Sequence, residues 1–149
     1  VLKFETADLI SLEAFDLIRI ADGVPRAGVD YSADNFPQEA ALGDHISYDK
    51  GCYIGQEPHA RMYHRGHPNW LSVWLKIPAK SNVTAGSLLF QGGKEIGEIT
   101  SFGAILKDEG FNRGIAMIKH ETAKKNELLA LEPDQQPFIE HEPLPNNIS

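Results

Sequence analysis

Cysteine is nearly absent from this sequence: its 149 residues hold one, Cys52. An intramolecular disulfide is thereby excluded, and a reducing compartment is the natural setting. Long apolar runs are missing as well. None approaches the roughly 20 residues that a helix needs to cross a bilayer, so no membrane span and no membrane partner is expected. Positive charge is short, with 14 Lys and Arg against 21 Asp and Glu, a net charge of -7 and a pI near 5.3. That balance argues against a broad phosphate-binding surface, and hence against a nucleic-acid partner. Only Arg61, His64, Arg65 and His67 gather into a basic patch, which reads equally well as a solvated turn. The start, Val1-Leu2-Lys3-Phe4-Glu5, lacks both an initiator Met and the layout of a signal peptide. We therefore expect a processed product or a piece of a longer protein. Asn82-Val83-Thr84 matches a glycosylation sequon, read here as chance.

What is present is ordinary for a globular chain: 42% hydrophobic and 23% charged residues. The length suits one domain, or a small domain plus a piece of another. Leu12, Phe15 and Ile18 recur at helical spacing, flanked by Ala14, Leu17 and Ala21. Ser11 suits the N-cap, Glu13 the first turn, and Gly23 with Pro25 the stop, predicting a helix over 12–22. Residues 23–43, rich in Gly, Pro, Asp and Asn, read as an ordered excursion with a short helix at 37–42. Ile46-Ser47-Tyr48 is a short strand by this reading, and a helix runs from Gly55 to about Tyr63 with Pro58 in its first turn.

Beyond His67-Pro68 the period changes to two. Leu71, Val73, Leu75 and Ile77 alternate with Trp70, Ser72, Trp74 and Lys76. Trp70 and Trp74 suit packing better than a stacking platform. Further strands are predicted at 87–91, 95–101, 104–107, 114–119 and 127–131, with Gly92-Gly93 as a hairpin turn. Short strands at this spacing predict a small barrel or sandwich. The Pro-rich tail from Glu132 is expected to wrap the surface and end disordered.

The densest chemistry lies in Lys50-Gly51-Cys52-Tyr53-Ile54-Gly55-Gln56-Glu57. Strand, glycine turn and helix start in succession would point backbone N–H groups at an anion. Gly51 and Gly55 permit a sharp turn and a close approach. Lys50 and the helix dipole both favour a thiolate at Cys52. Tyr53 offers a ring face and a hydroxyl, Gln56 and Glu57 polar groups in the first turn, and Arg61 a partner for Glu57 four residues on. On chemistry alone, a tight turn around a small buried cysteine explains the segment equally well.

That octapeptide, with Ala60-Arg61 after it, resembles the signature of the YgfZ family, relatives of the glycine-cleavage T-protein that assist assembly or repair of iron–sulfur clusters. The resemblance extends through Arg19-Ile20, residues 23–30 ending at Asp30, residues 37–40, Arg65-Gly66-His67, Gly97 and Thr100-Ser101, as far as about Lys119. T-proteins usually carry an acidic residue where Cys52 stands. The resemblance implies an α+β fold: residues 1–66 as the end of a folate-binding region, 67–132 as a C-terminal antiparallel β-barrel, and 133–149 as a tail. It implies tetrahydrofolate or a related folate as cofactor, held by Arg19, Asp30, Tyr53, Gly55, Gln56, Glu57 and Arg61, with Lys50 and Cys52 as the chemically active pair. Its partners would be iron–sulfur carrier or client proteins, met as a monomer when full length. The setting would be the cytoplasm of a bacterium, with the mitochondrial matrix as the alternative.

Two departures from the pattern matter. Ala21 stands where relatives place a pterin-contacting Glu, and Asp22 is turned about 100° away on a helix. Asn69-Trp70 replaces basic residues after the Arg-Gly turn. The alternatives are a folate-dependent aminomethyltransferase of the T-protein type, and a folate-binding regulatory module without chemistry. Cys52, His59, His64 and His67, spaced by seven, five and three, fit no common zinc pattern. Cys52 alone would ligate an iron–sulfur cluster only together with a partner. A Cys52–His59 or Cys52–His64 nucleophile pair lacks a recognisable orienting residue.

Overall fold

The computed structural model describes residues 9–104 and 110–144. Helix α1, Leu12–Ala21, begins where Ser11 Oγ accepts the Ala14 N–H at 3.2 Å. The Glu13 carboxyl is held below its usual range by its own backbone N–H and then by Ser11. Asp22 closes the helix, its N–H donating to the Ile18 carbonyl, and Gly23 turns away at φ 66°. The periodic face points outward: Leu12, Phe15 and Ile18 are exposed, whereas Arg19 and Ile20 are buried. The reason is the docking direction, since Ile20 and Leu17 are the side chains that meet Gly103.

Residues 37–42 form turns rather than a helix. Ala41 adopts a left-handed backbone at φ 60°, which a helix cannot continue through. Ile46-Ser47-Tyr48 is likewise no strand but irregular chain after the short 3-10 turn Gly43–His45. Helix α2, Gln56–Arg65, matches expectation, entered through Gly55 at φ 87°.

The sheet holds β1 (Trp70–Pro78), β2 (Leu88–Gln91), β3 (Lys94–Gly103), β4 (Phe111–Lys119) and β5 (Glu140–Pro143), all antiparallel, in the order β2-β3-β4-β1-β5. The short helix α3, His120–Ala123, follows β4. The barrel expectation needs correction, because the sheet does not close. The gap between β2 and β5 is spanned by isolated bridges, Phe90 to Ala130 and Leu129 to Ile139, where residues 127–131 had been expected to supply a whole strand. The expected strand at 104–107 lies, beyond Ala104, outside the described residues.

Alternation along β1 puts Val73, Leu75 and Ile77 into the main core with Leu89, Ile99, Ile118, Leu129 and Ile139. Trp74, on the other face, packs on Ala41, Ile115 and Leu144, and its indole N–H donates to the Ile20 carbonyl at 2.9 Å. The segment after Glu132 therefore does more than wrap the surface: it supplies β5 and the fully buried Ile139 and Leu144. Residues 145–149, where disorder was expected, lie outside the described residues.

Candidate functional site

Two groups of expected site residues form separate clusters. In the first, the Arg19 guanidinium, 4% exposed, ties α1 to the turn after it and to β3. It donates to Asp16 through Nε, to Asp30 Oδ2 at 2.7 Å and the Val24 carbonyl at 3.2 Å through Nη1, and to Ser101 Oγ at 2.7 Å through Nη2. Asp30 also accepts the Arg26 N–H at 2.9 Å and the Thr100 hydroxyl at 2.6 Å. A bulge in β3 between Ile99 and Ser101 re-aims Thr100 toward that carboxylate. Arg19 and Asp30 are thus brought together, with their polar groups turned on one another.

The second cluster is residues 50–57 with α2. Cys52 is an exposed free thiol three residues before the helix cap Gly55. The Lys50 ammonium lies over the Tyr53 ring, 4.7 Å from its centroid, a cation–π contact. Tyr53 Oη is buried, and no described residue hydrogen-bonds to it. Gln56 N–H donates to the Tyr53 carbonyl at 3.2 Å, closing the turn. Glu57 and Arg61 pair at 3.1 Å on the exposed face of α2 and line, with Phe36 and Met62, a hollow of about 460 Å³.

Aromatic contacts that the sequence did not single out hold α2 in place. Tyr63 stacks on Tyr48 with centroids 4.3 Å apart, and His59 meets the Phe36 ring edge-on. Gln38 Nε2 donates to the Tyr48 hydroxyl at 3.0 Å, while Glu39 accepts the Phe36 and Trp70 N–H groups. His67 stacks on His120 at 4.3 Å where α2 gives way to β1. Gln38 and Glu39 lie in the segment that carried the resemblance; Tyr48, Tyr63 and His120 had no sequence signal beyond being aromatic. Among the described residues, no three or more His, Cys, Asp or Glu side chains are grouped to hold a metal ion, and no helix is long and apolar enough to cross a membrane.

No protein-family model matches the chain. It is 32% identical over 108 residues to an aminomethyltransferase of Lysinibacillus sphaericus, covering 72% of this chain and 29% of the relative. A putative chloroplastic transferase of Arabidopsis thaliana is 32% identical over 74% of the chain and 25% of its own length. The trimethylamine-oxide aldolase of Ruegeria pomeroyi is 28% identical over 90% of the chain and 18% of its length. Among solved structures, the glycine cleavage system aminomethyltransferase T of Bartonella henselae superposes with a TM-score of 0.72 at 22% identity, covering 89% of the chain and 38% of that protein. The chain is similar to aminomethyltransferases in sequence and in fold. It spans less than a third of the length of the curated relatives named here. The mixed α/β arrangement with an antiparallel sheet resembles part of that aminomethyltransferase structure. The relatives named here carry transferase and aldolase names, and cluster assembly, the narrower expectation from residues 50–57, has no counterpart among those names.

Proposed function

We propose that this chain is the C-terminal part of a tetrahydrofolate-binding protein of the aminomethyltransferase type, with one-carbon transfer as the activity its relatives support. The observation that carries the reading is Tyr53 Oη, a buried polar atom with no partner among the described residues, inside the loop that the sequence singles out. Such an atom is costly unless something satisfies it, and a folate rich in donors and acceptors would do so. Tyr53 and Gln56 would hold the ligand, and the Glu57–Arg61 pair would fix the start of α2 beside it. Arg19 and Asp30 would act as positioning residues by locking α1 to β3. When bound, the folate supplies the carrier for the one-carbon unit. Lys50 would keep the Tyr53 ring in place through its cation–π contact.

Titration of the full-length protein with tetrahydrofolate tests this directly. Saturable binding is expected, weakened about 5- to 30-fold by Tyr53→Phe, the loss of one hydrogen bond of roughly 1–2 kcal/mol. No binding, or binding indifferent to Tyr53→Phe, would sink the reading.

A second reading, assistance in assembly or repair of iron–sulfur clusters, is favoured by one observation: Cys52 is exposed and free at the tip of the same loop. A cluster would be cargo shared with a carrier or client, since one thiolate cannot hold it alone. Ala21, standing where a pterin-contacting Glu is expected, also leans this way. In cells, Cys52→Ser should then lower iron–sulfur enzyme activities while leaving folate binding intact. Unchanged enzyme activities would remove this reading and leave the first standing.

A further inference from the structure

A second cavity lies apart from residues 50–57. It opens between the 43–48 segment, α2, the start of β1, α3 and β5, with a volume of about 880 Å³. That is within the range of small-molecule sites, roughly 300–1,000 Å³. Its walls include Tyr48, Tyr63, Leu71 and Val73, and among its lining residues two lysines, Lys124 and Lys125, outnumber the carboxylate of Asp44. No residue of the 50–57 loop lines it.

The telling side chain is His141. It lines this cavity and is 8% exposed, yet neither ring nitrogen has a hydrogen-bond partner among the described residues. Burial pushes its pKa down. The carbonyls of Glu127 and Lys125 oppose that shift without reaching hydrogen-bond geometry. The ring is therefore neutral near pH 7 and keeps one donor and one acceptor unspent. Buried side-chain polar atoms nearly always have a partner, and an imidazole N–H left without one at a cavity wall calls for an acceptor.

We propose that this cavity is a binding site for a small aromatic carboxylate. The ring of the ligand would lie against Tyr48, Tyr63 and Leu71, and its carboxylate would take hydrogen bonds from the lysines and from the His141 N–H. Aromatic stacking supplies the first contact, and charge-assisted hydrogen bonds supply orientation and preference for an anion. The site does not rest on the folate reading, because it shares no residue with the loop on which that reading stands.

The test uses the full-length protein and 2-naphthoate as the probe, followed by calorimetry and by tyrosine fluorescence. Saturable binding is expected, with 2-naphthamide, which lacks the charge, binding at least about tenfold more weakly. The double variant Lys124→Ala, Lys125→Ala alters exposed side chains only and should weaken 2-naphthoate by about tenfold or more. His141→Leu should weaken it similarly wherever thermal melting shows a folded protein. Saturating tetrahydrofolate should leave 2-naphthoate affinity unchanged. Absence of saturable binding, equal affinity for acid and amide, or indifference to the lysine variant would overturn the proposal, leaving water as the partner of His141. Competitive displacement by tetrahydrofolate would overturn it as a separate site.

Discussion

Asp30 shows how much one side chain can carry. Its carboxylate is fully buried and holds Arg19, the Arg26 N–H and Thr100 at once. Removing it takes the fully buried counter-charge from Arg19 and leaves only the part-exposed Asp16. Breaking a buried pair in this way typically costs about 3–5 kcal/mol. Asp30→Ala is therefore expected to lower the unfolding free energy by that amount in a urea titration. A loss below about 1 kcal/mol would mean that water replaces the carboxylate. His120 and His141 act through protons instead. Burial is the largest cause of the lowered pKa in both, reinforced at His120 by Lys124 and His67 and opposed there by Glu121. Below the ordinary value of 6.5 the unfolded chain takes up protons that the native rings refuse, so stability falls as pH drops through that value and levels off below the native pKa values. Melting temperature should decline between about pH 7 and 5. The double variant His120→Gln, His141→Gln should flatten the decline, and an equally steep slope in it would assign the effect to carboxylates.

At the level of elements, the pairing of β3 with β4 depends on Gly97. Its φ is 157°, and a Cβ there would stand 2.1 Å from the Met117 carbonyl oxygen, backbone that cannot yield. Gly97→Ala combines strain with overpacking and is expected to cost roughly 2–5 kcal/mol, read as a drop in the denaturation midpoint. A near-neutral result would imply that β3 can shift register. By contrast, Ser11→Ala removes one exposed cap bond and should cost about 1 kcal/mol. Elements with their own periodicity or punctuation were readable in advance. Strand β1 alternates, Gly92 and Gly93 take positive φ to join β2 and β3, and α1 and α2 carry caps. Glu140-His141-Glu142-Pro143 carries no such signal, because an edge strand that pairs on one side has little need of an apolar face. Ile46-Ser47-Tyr48 misled for the opposite reason: its aromatic residue is used for packing on α2, where Tyr48 stacks on Tyr63.

For the whole molecule, four of the five strands among the described residues were readable and closure was not. Closure is decided by how far residues 127–131 pair with both neighbours, a long-range property that no window of sequence contains. The candidate site divides in the same way. The octapeptide was visible as glycines around a polarised cysteine, and Arg19 and Asp30 as parts of a resemblance. That Arg19 binds Asp30 and reaches on to Ser101 of β3 could be learned only from the fold.

The position of β5 has a consequence for how the chain is made. Its partner is β1, so Val73 waits for Pro143 and Leu75 for His141. Contacts this distant in sequence pay their loop-closure entropy before they return anything, and chains that rely on them fold slowly. During synthesis the β1 edge would stay open until its last partner left the ribosome. In that interval, chaperone capture and pairing with another nascent chain compete for the same row of backbone groups.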